Sequence, residues 1–309
     1  MSVAALLPSW QLALESDNKS PKTIKSYTAS VRSLSAFLRE HGMPDDIEKV
    51  EPEHIRAFLV AERERTSPAF AQQHYRNLHV YFNWIEREGE RQALNPMRLI
   101  GKPAVPESVK PFFTADELTK LLAVCKGQDF ESRRDTAVIR ILVDTGVRVS
   151  GLANLRFDAV DDDRTDVFLQ LKRLRVVLKG GRQHWVPIGK KAAADLDRYL
   201  RVRQKHPRAT SSPWLWLGVR NGPRGEHFTD TGIRQMLERR GEQAGVQNVH
   251  PHRFRHTFAD SWLANGGNVD DLMNVAGWQS ITMPLQYAKG RGIARAAAAH
   301  ERLSPGDRL

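Results

Sequence analysis

The stretch His250–Asp260, HPHRFRHTFAD, decides how the rest of the chain is read. It sets three histidines and two arginines within eleven residues. Burying so many cations costs free energy, and a solvated face has no need of them, so the cluster asks for a partner. Pro251 suits the first turn of a helix, which would put His252 and Arg255 three residues apart on one face. The unpaired amides of a helix start favour an anion. One helix end can therefore offer an imidazole, a guanidinium and free N–H donors to a phosphate. Two alternatives stay open on these residues. His252 and His256, four apart, have zinc-ligand spacing, but no Glu follows as in HExxH, and Arg253 and Arg255 would repel a cation. The other is a purely structural His–Arg cluster.

The rest of the composition narrows the partner. A chain of 309 residues is long enough for two domains. No apolar run approaches the roughly 18 residues needed to span a bilayer, and no signal peptide opens the chain, so a cytoplasmic protein without membrane contact is expected. A single cysteine excludes an internal disulfide framework and a cysteine-based zinc cage. Cys125 follows Leu118, Leu121 and Leu122 at helical spacing and reads as core. The net charge is +11 and unevenly spread. Residues 1–100 hold 13 basic and 13 acidic side chains, whereas residues 101–309 hold 34 and 23. Within the latter, residues 172–208 alone carry 12 basic against 2 acidic. A surface of that kind points to a polyanion, and nucleic acid is the usual one.

The chain order reads as helical, then mixed. In SPKTIKSYTASVRSLSAFLRE, Ser20 can cap a helix and Pro21 fits its first position. Ile24, Tyr27, Val31, Leu34 and Leu38 then make one apolar face. The same start recurs at Ser67-Pro68, followed by Phe70, Tyr75, Leu78, Phe82 and Ile85. Shorter helical patterns fit residues 3–15 and 52–64. Prolines at 96, 103, 106 and 111 mark a linker. Thr114 and Glu117 form a capping box, and AVIRILVDTGVRVSGLANL continues as a buried helix. DVFLQL, RVVLKGG and HWVPIG then read as strands of a small antiparallel sheet. From about residue 190 the pattern returns to helix. The expected fold is mainly α with a small antiparallel sheet. A helical bundle over residues 1–98 and a linker over 99–110 precede an α+β domain over 111–309 that ends in a tail helix.

Three further motifs accompany the opening stretch. DTGVRVSGL presents Arg148 just after a Thr-Gly turn, and VLKGGRQHWVPI places Lys179 at a Gly-Gly turn between strands. AGWQSITMPLQYAKG supplies Trp278 and, nine residues later, Tyr287. In this order and at these spacings the set resembles the tyrosine recombinases, also called the phage integrase family, from about residue 10 to the end. The resemblance implies an N-terminal core-binding domain and a C-terminal catalytic domain closing around duplex DNA as a clamp. It implies that Tyr287 attacks a phosphodiester, leaving a 3′-phosphotyrosine. Arg148 and Arg255 would hold the non-bridging oxygens through forked donors, with His252 and the indole N–H of Trp278 bonding the same centre. His252 would take the phenolic proton, and Lys179 would protonate the departing 5′ oxygen. Lys22 and Arg182 are further expected DNA contacts.

Neither cofactor nor metal is called for, because guanidiniums supply the charge and the bond energy stays in the phosphotyrosine link. The resemblance further implies four copies on two inverted-repeat DNA sites and exchange through a four-way junction. Since the chain opens directly with the core-binding domain, the two-domain type without an arm-binding domain is expected. The Ala-rich segment before the C-terminus is suited to docking on a neighbouring copy. One position departs from the family: an acidic residue is common three places after the Thr-Gly-turn arginine, and here stands Gly151. Asp144 or another acid would have to replace it. The rival readings are a type IB topoisomerase, with the same chemistry in a monomer, and a DNA-binding protein with an idle site.

Overall fold

The computed structural model describes residues 1–106, 111–178, 180–219, 226–282, 284 and 292–308. Contacts divide the chain into two units, residues 1–108 and 109–309. The first contains α1 (Leu7–Ser16), α2 (Pro21–Glu40), α3 (Pro52–Arg65) and α4 (Pro68–Glu88), followed by a short 3₁₀ turn at Pro96–Leu99. Helices α2 and α4 begin as the sequence predicts. Ser20 Oγ accepts from the Thr23 N–H and Ser67 Oγ from the Phe70 N–H, each with proline in the first turn.

The apolar face of α2 is buried at Ile24, Val31, Leu34 and Leu38, and Tyr27 stacks on Trp10 with centroids 5.7 Å apart. On α4 the face differs from the sequence reading. Phe70 remains exposed, and the inward row runs through Ala71, His74, Leu78, Tyr81, Phe82 and Ile85. Histidine and tyrosine carry no clear hydrophobic signal, so this row reads poorly from periodicity alone. Asn77 is buried because its amide donates to Ser30 Oγ at 2.8 Å and the Ser26 carbonyl at 3.1 Å, stitching α4 to α2. The proline-rich stretch stays attached to this unit for some distance: Tyr75 donates to the Ile100 carbonyl and Gln72 to that of Pro103.

The second unit begins with α5 (Ala115–Ala123), whose capping box is complete. The Glu117 N–H donates to Thr114 Oγ1 and the Thr114 N–H to the Glu117 carboxylate. Next come α6 (Phe130–Thr145) and the short α7 (Val149–Ala153). A three-stranded antiparallel sheet follows in the order β1-β2-β3, formed by Val167–Phe168, Arg173–Val177 and Gln183–Pro187. Then come α8 (Lys190–Arg203), α9 (Asp230–Ala244), α10 (Pro251–Ala264), α11 (Val269–Ala276) and the tail helix α12 (Gly292–Leu303).

Helix α6 is central to this unit: Val138, Ile139, Ile141 and Leu142 have no exposed surface. It also carries a buried charge. Asp135 is fully enclosed and accepts from Arg134 and Arg240, each through a two-pronged contact of 2.8–3.0 Å. Pairing of this quality offsets the desolvation of the carboxylate, and removing one partner from such a group typically costs ~3–5 kcal/mol. Cys125 is core, as its spacing indicated, and burial pushes its thiol up to about 11.

One group makes the first unit sensitive to pH. Burial lowers His74 below its usual value, against the opposing pull of Glu62 at 3.5 Å, and Arg65 adds to the lowering. Protonation is thus disfavoured in the folded state relative to the unfolded chain. Stability from this site is full above the unfolded imidazole value of ~6.5 and is lost as pH falls from there through the lower folded-state value. The urea midpoint of the full-length protein should fall between neutral pH and about pH 5, and His74→Leu should flatten that fall.

Candidate active site

The site starts where α6 ends. Gly146 takes the left-handed conformation (φ +56°), and its N–H closes the helix on the Leu142 carbonyl. Thr145 Oγ1 donates to Ile141 at 2.7 Å and accepts the Val147 N–H at 3.2 Å. This pair of bonds turns the chain and sets Arg148 at the N-cap of α7, with its side chain exposed. A Cβ at position 146 would lie 2.8 Å from the Phe258 ring, so only glycine lets α10 approach this closely. At that crossing Arg255 is 3% exposed. Its Nη1 donates to the Gly146 carbonyl at 2.7 Å and its Nη2 to the Ala276 carbonyl at 3.1 Å. The guanidinium carbon stands 4.7 Å from the centroid of the Trp278 ring.

Helix α10 begins with Pro251 in its first turn, as the sequence predicts, and its N-cap is His250. The ring Nδ1 accepts the Arg253 N–H at 3.3 Å, which requires that nitrogen to be unprotonated. Burial lowers the His250 pKa, and Arg253 and Arg234 add to the effect. His252 follows with its side chain exposed. Arg148, His252 and Arg255 come together around one cleft of about 100 Å³, lined also by Ser150 and Arg234. Three guanidiniums and an imidazole face it, and among the described residues no carboxylate lines it. Such a cleft is built for an anion.

The two arginines of the opening stretch have separate tasks. Arg253 points away from the cleft, donating to both Glu117 oxygens at 2.8 Å and to the Phe112 and Gln247 carbonyls, with its charge 4.0 Å from the Phe113 ring centroid. Burial alone would raise the Glu117 carboxyl, but hydrogen bonds from the Thr114 N–H and Arg253 outweigh it and hold the group below its usual value. Arg253 therefore joins α10 to the start of α5. Among the described residues no three His, Cys, Asp or Glu side chains are grouped to hold a metal ion.

Trp278 is buried with Phe258, Ala259, Leu272 and Ala276. Its ring face lies against the Arg255 guanidinium. The turn that delivers it rests on the root of the β2–β3 hairpin. A Cβ on Gly277 (φ +65°) would meet Leu178 and His184 at 3.2 Å, and His184 Nε2 lies 3.2 Å from the Val275 carbonyl. Gly180 and Gly181 both take left-handed conformations in the hairpin loop. Lys179 and Tyr287 lie outside the described residues. Arg182 is exposed beside the hairpin loop, and Lys22 is exposed in the first turn of α2 in the other unit.

Gly151 faces the sheet, where a Cβ would sit 3.7 Å from Val147 and Val176 in ordinary contact. Asp144 does not line the cleft: its Oδ2 accepts the Gly189 N–H at 2.6 Å, at the N-cap of α8. Two participants escaped the sequence reading. His250 left only a position before proline as a signal, and Arg234, on a helix far along the chain, left none.

The model of the phage integrase family matches residues 111–291, and that of the phage integrase N-terminal SAM-like domain matches residues 6–89. The chain belongs to the phage integrase family. The tyrosine recombinase XerC of Oceanobacillus iheyensis is 30% identical over 275 residues, spanning 87% of this chain and 86% of that protein. The tyrosine recombinase XerD of Listeria innocua is 25% identical, spanning 87% and 88%. The Tn1549 transposon integrase, solved in complex with transposon right end DNA, shares the fold with a TM-score of 0.75 at 18% identity, covering 98% of this chain and 100% of that one.

Gly146 gives a direct test of how the site is assembled. Gly245, which ends α9 at φ +66°, has open space around it and serves as the control. Gly245→Ala should cost only the left-handed backbone penalty of ~1 kcal/mol. Gly146→Ala should cost a further ~1 kcal/mol or more, because Phe258 must move and Arg255 loses its acceptor geometry. Urea unfolding of both variants measures the difference.

Proposed function

We propose that this protein is a site-specific DNA recombinase that cleaves and rejoins strands through a 3′-phosphotyrosine and a Holliday junction. The observation that carries the reading is the cleft itself. The Thr-Gly turn after α6 and the start of α10, about a hundred residues apart in sequence, bring Arg148, His252 and Arg255 around one anion-sized space. No metal or nucleotide is needed for the charge balance at such a centre. Attack on a phosphodiester builds a five-coordinate phosphorus with added negative charge on its non-bridging oxygens, and guanidinium donors fixed beforehand stabilise that charge.

In this reading the Tyr287 oxygen forms the new bond to phosphorus while the bond to the deoxyribose 5′ oxygen breaks. The phenolic proton, which a free tyrosine holds with a pKa of about 10, passes to His252 directly or through water. Lys179 gives a proton to the departing 5′ oxygen. Arg148 and Arg255 hold the non-bridging oxygens, and Trp278 supports Arg255 from below. The basic run 172–208, with Arg182, and the N-terminal helical unit, with Lys22, supply backbone contacts along double-stranded DNA. Four copies on two inverted-repeat sites, in the cytoplasm, complete the proposal, with α12 as the segment that docks on a neighbour.

Two experiments test it. Tyr287→Phe should keep its DNA affinity, which comes from many phosphate contacts, and lose the covalent adduct on nicked suicide substrates. An adduct of normal yield would remove Tyr287 from its role. Lys179→Ala should cleave normal DNA ~10²–10⁴ times more slowly, since an alkoxide leaves poorly without its proton. It should recover largely on DNA with a bridging 5′ sulfur, because a thiol pKa near ~8.5 lets the thiolate leave unaided. Arg148→Ala, a change at an exposed side chain, should not recover on that substrate, because its charge is needed at the non-bridging oxygens. Equal defects of Lys179→Ala on both substrates would make the lysine a phosphate contact only.

A further inference from the structure

Arg234 is the cation of the cleft that neither the motifs nor the proposed chemistry accounts for. It sits on α9, whose Ile233, Met236 and Leu237 are buried in the core, and the next turn is locked by Arg240 on Asp135. The helix is therefore held firmly, and it brings Arg234 to the same cleft as Arg148, His252 and Arg255. The Arg234 side chain is exposed and makes no hydrogen bond or ion pair among the described residues. A guanidinium held beside two others, with no carboxylate among the described residues that line the space, adds repulsion that an anion of more than one charge would relieve.

We propose that Arg234 grips the DNA phosphate next to the scissile one, a positioning contact that rests on the recombinase reading of the cleft. A phosphodiester has two non-bridging oxygens. The forked donors of Arg148 and Arg255, with His252, suffice for both at the reacting phosphorus. A further guanidinium at the rim meets the neighbouring phosphate of the same strand. Holding that phosphate fixes the strand lengthwise, so the scissile bond faces the nucleophile in register.

The test uses duplexes that the protein itself selects from a random-sequence pool. Arg234→Ala should bind them about tenfold more weakly, as expected for losing one charge-assisted hydrogen-bond contact. The slope of log affinity against log salt should fall by about one. In suicide-substrate cleavage the loss should fall on the half-saturating DNA concentration rather than on the rate at saturation. Replacing phosphates one at a time by neutral methylphosphonate locates the contact. Wild type and Arg234→Ala should converge only when the neutral group is beside the scissile phosphate. Arg234→Gln, with an unfolding midpoint equal to wild type, guards against misfolding.

Equal affinities and salt slopes would overturn the proposal, as would convergence at the scissile phosphate itself. If the slope falls but the wild type forms no covalent adduct, the phosphate contact stands and the recombinase reading fails. If the adduct forms and Arg234→Ala matches the wild type in every arm, this inference alone fails.

Discussion

The catalytic unit is organised around one buried guanidinium. Arg255 is held by the carbonyls that end two different helices, Gly146 after α6 and Ala276 at the end of α11, and the Trp278 ring lies against it. A hydrogen bond to a charged group is worth ~1.5–3 kcal/mol net, so two of them with a ring contact go far toward the cost of enclosing the charge. The consequence is rigidity. The guanidinium cannot move without breaking the helix ends that hold it, and those ends also set Arg148 and the turn into Trp278. The side chains that face the cleft are thereby prepared before any anion arrives, which is where electrostatic stabilisation of a transition state comes from.

The same economy runs through the helix that carries Arg255. Successive residues of α10 serve different neighbours: His250 caps the helix, His252 faces the cleft, Arg253 ties back to Glu117 and Arg255 is enclosed. The hairpin is bound into the same arrangement through His184 and the close approach of Gly277. Arg134, Arg240 and Arg253 are each neutralised by an acid within the fold, whereas among the described residues no carboxylate lines the cleft.

Much of this was legible in the sequence. Ser20-Pro21, Ser67-Pro68 and Thr114 with Glu117 announced helix starts through local chemistry, and these caps form as read. Arg148, His252 and Arg255 stand out through the order and spacing of motifs that resemble the tyrosine recombinases, and Pro251 at a helix start sets His252 and Arg255 three apart. What could not be read depends on contacts between distant segments. Helical spacing sets Arg255 on the face of His252, but nothing local shows that Arg253 meets Glu117 and Arg255 meets Gly146. Asp144 carried the right charge to replace the missing acid at Gly151, yet tertiary contact gives it to the Gly189 N–H. Phe70 looked like core by type, but α4 turns His74 and Tyr81 inward instead. Arg234 gave no signal because its place at the cleft depends on how α9 packs, with no motif around it.

The central claim is that the cleft around Arg255 presents a DNA phosphate to a tyrosine of this chain. Its most direct test is the chemical identity of the bond formed. Protein trapped on a nicked duplex is digested with nuclease and protease, and the remaining nucleotide-bearing peptide is sequenced by mass spectrometry. The expected product is a peptide with Tyr287 joined through its phenolic oxygen to a 3′ phosphate. Attachment to another residue, linkage to a 5′ phosphate, or the absence of any covalent product would contradict it.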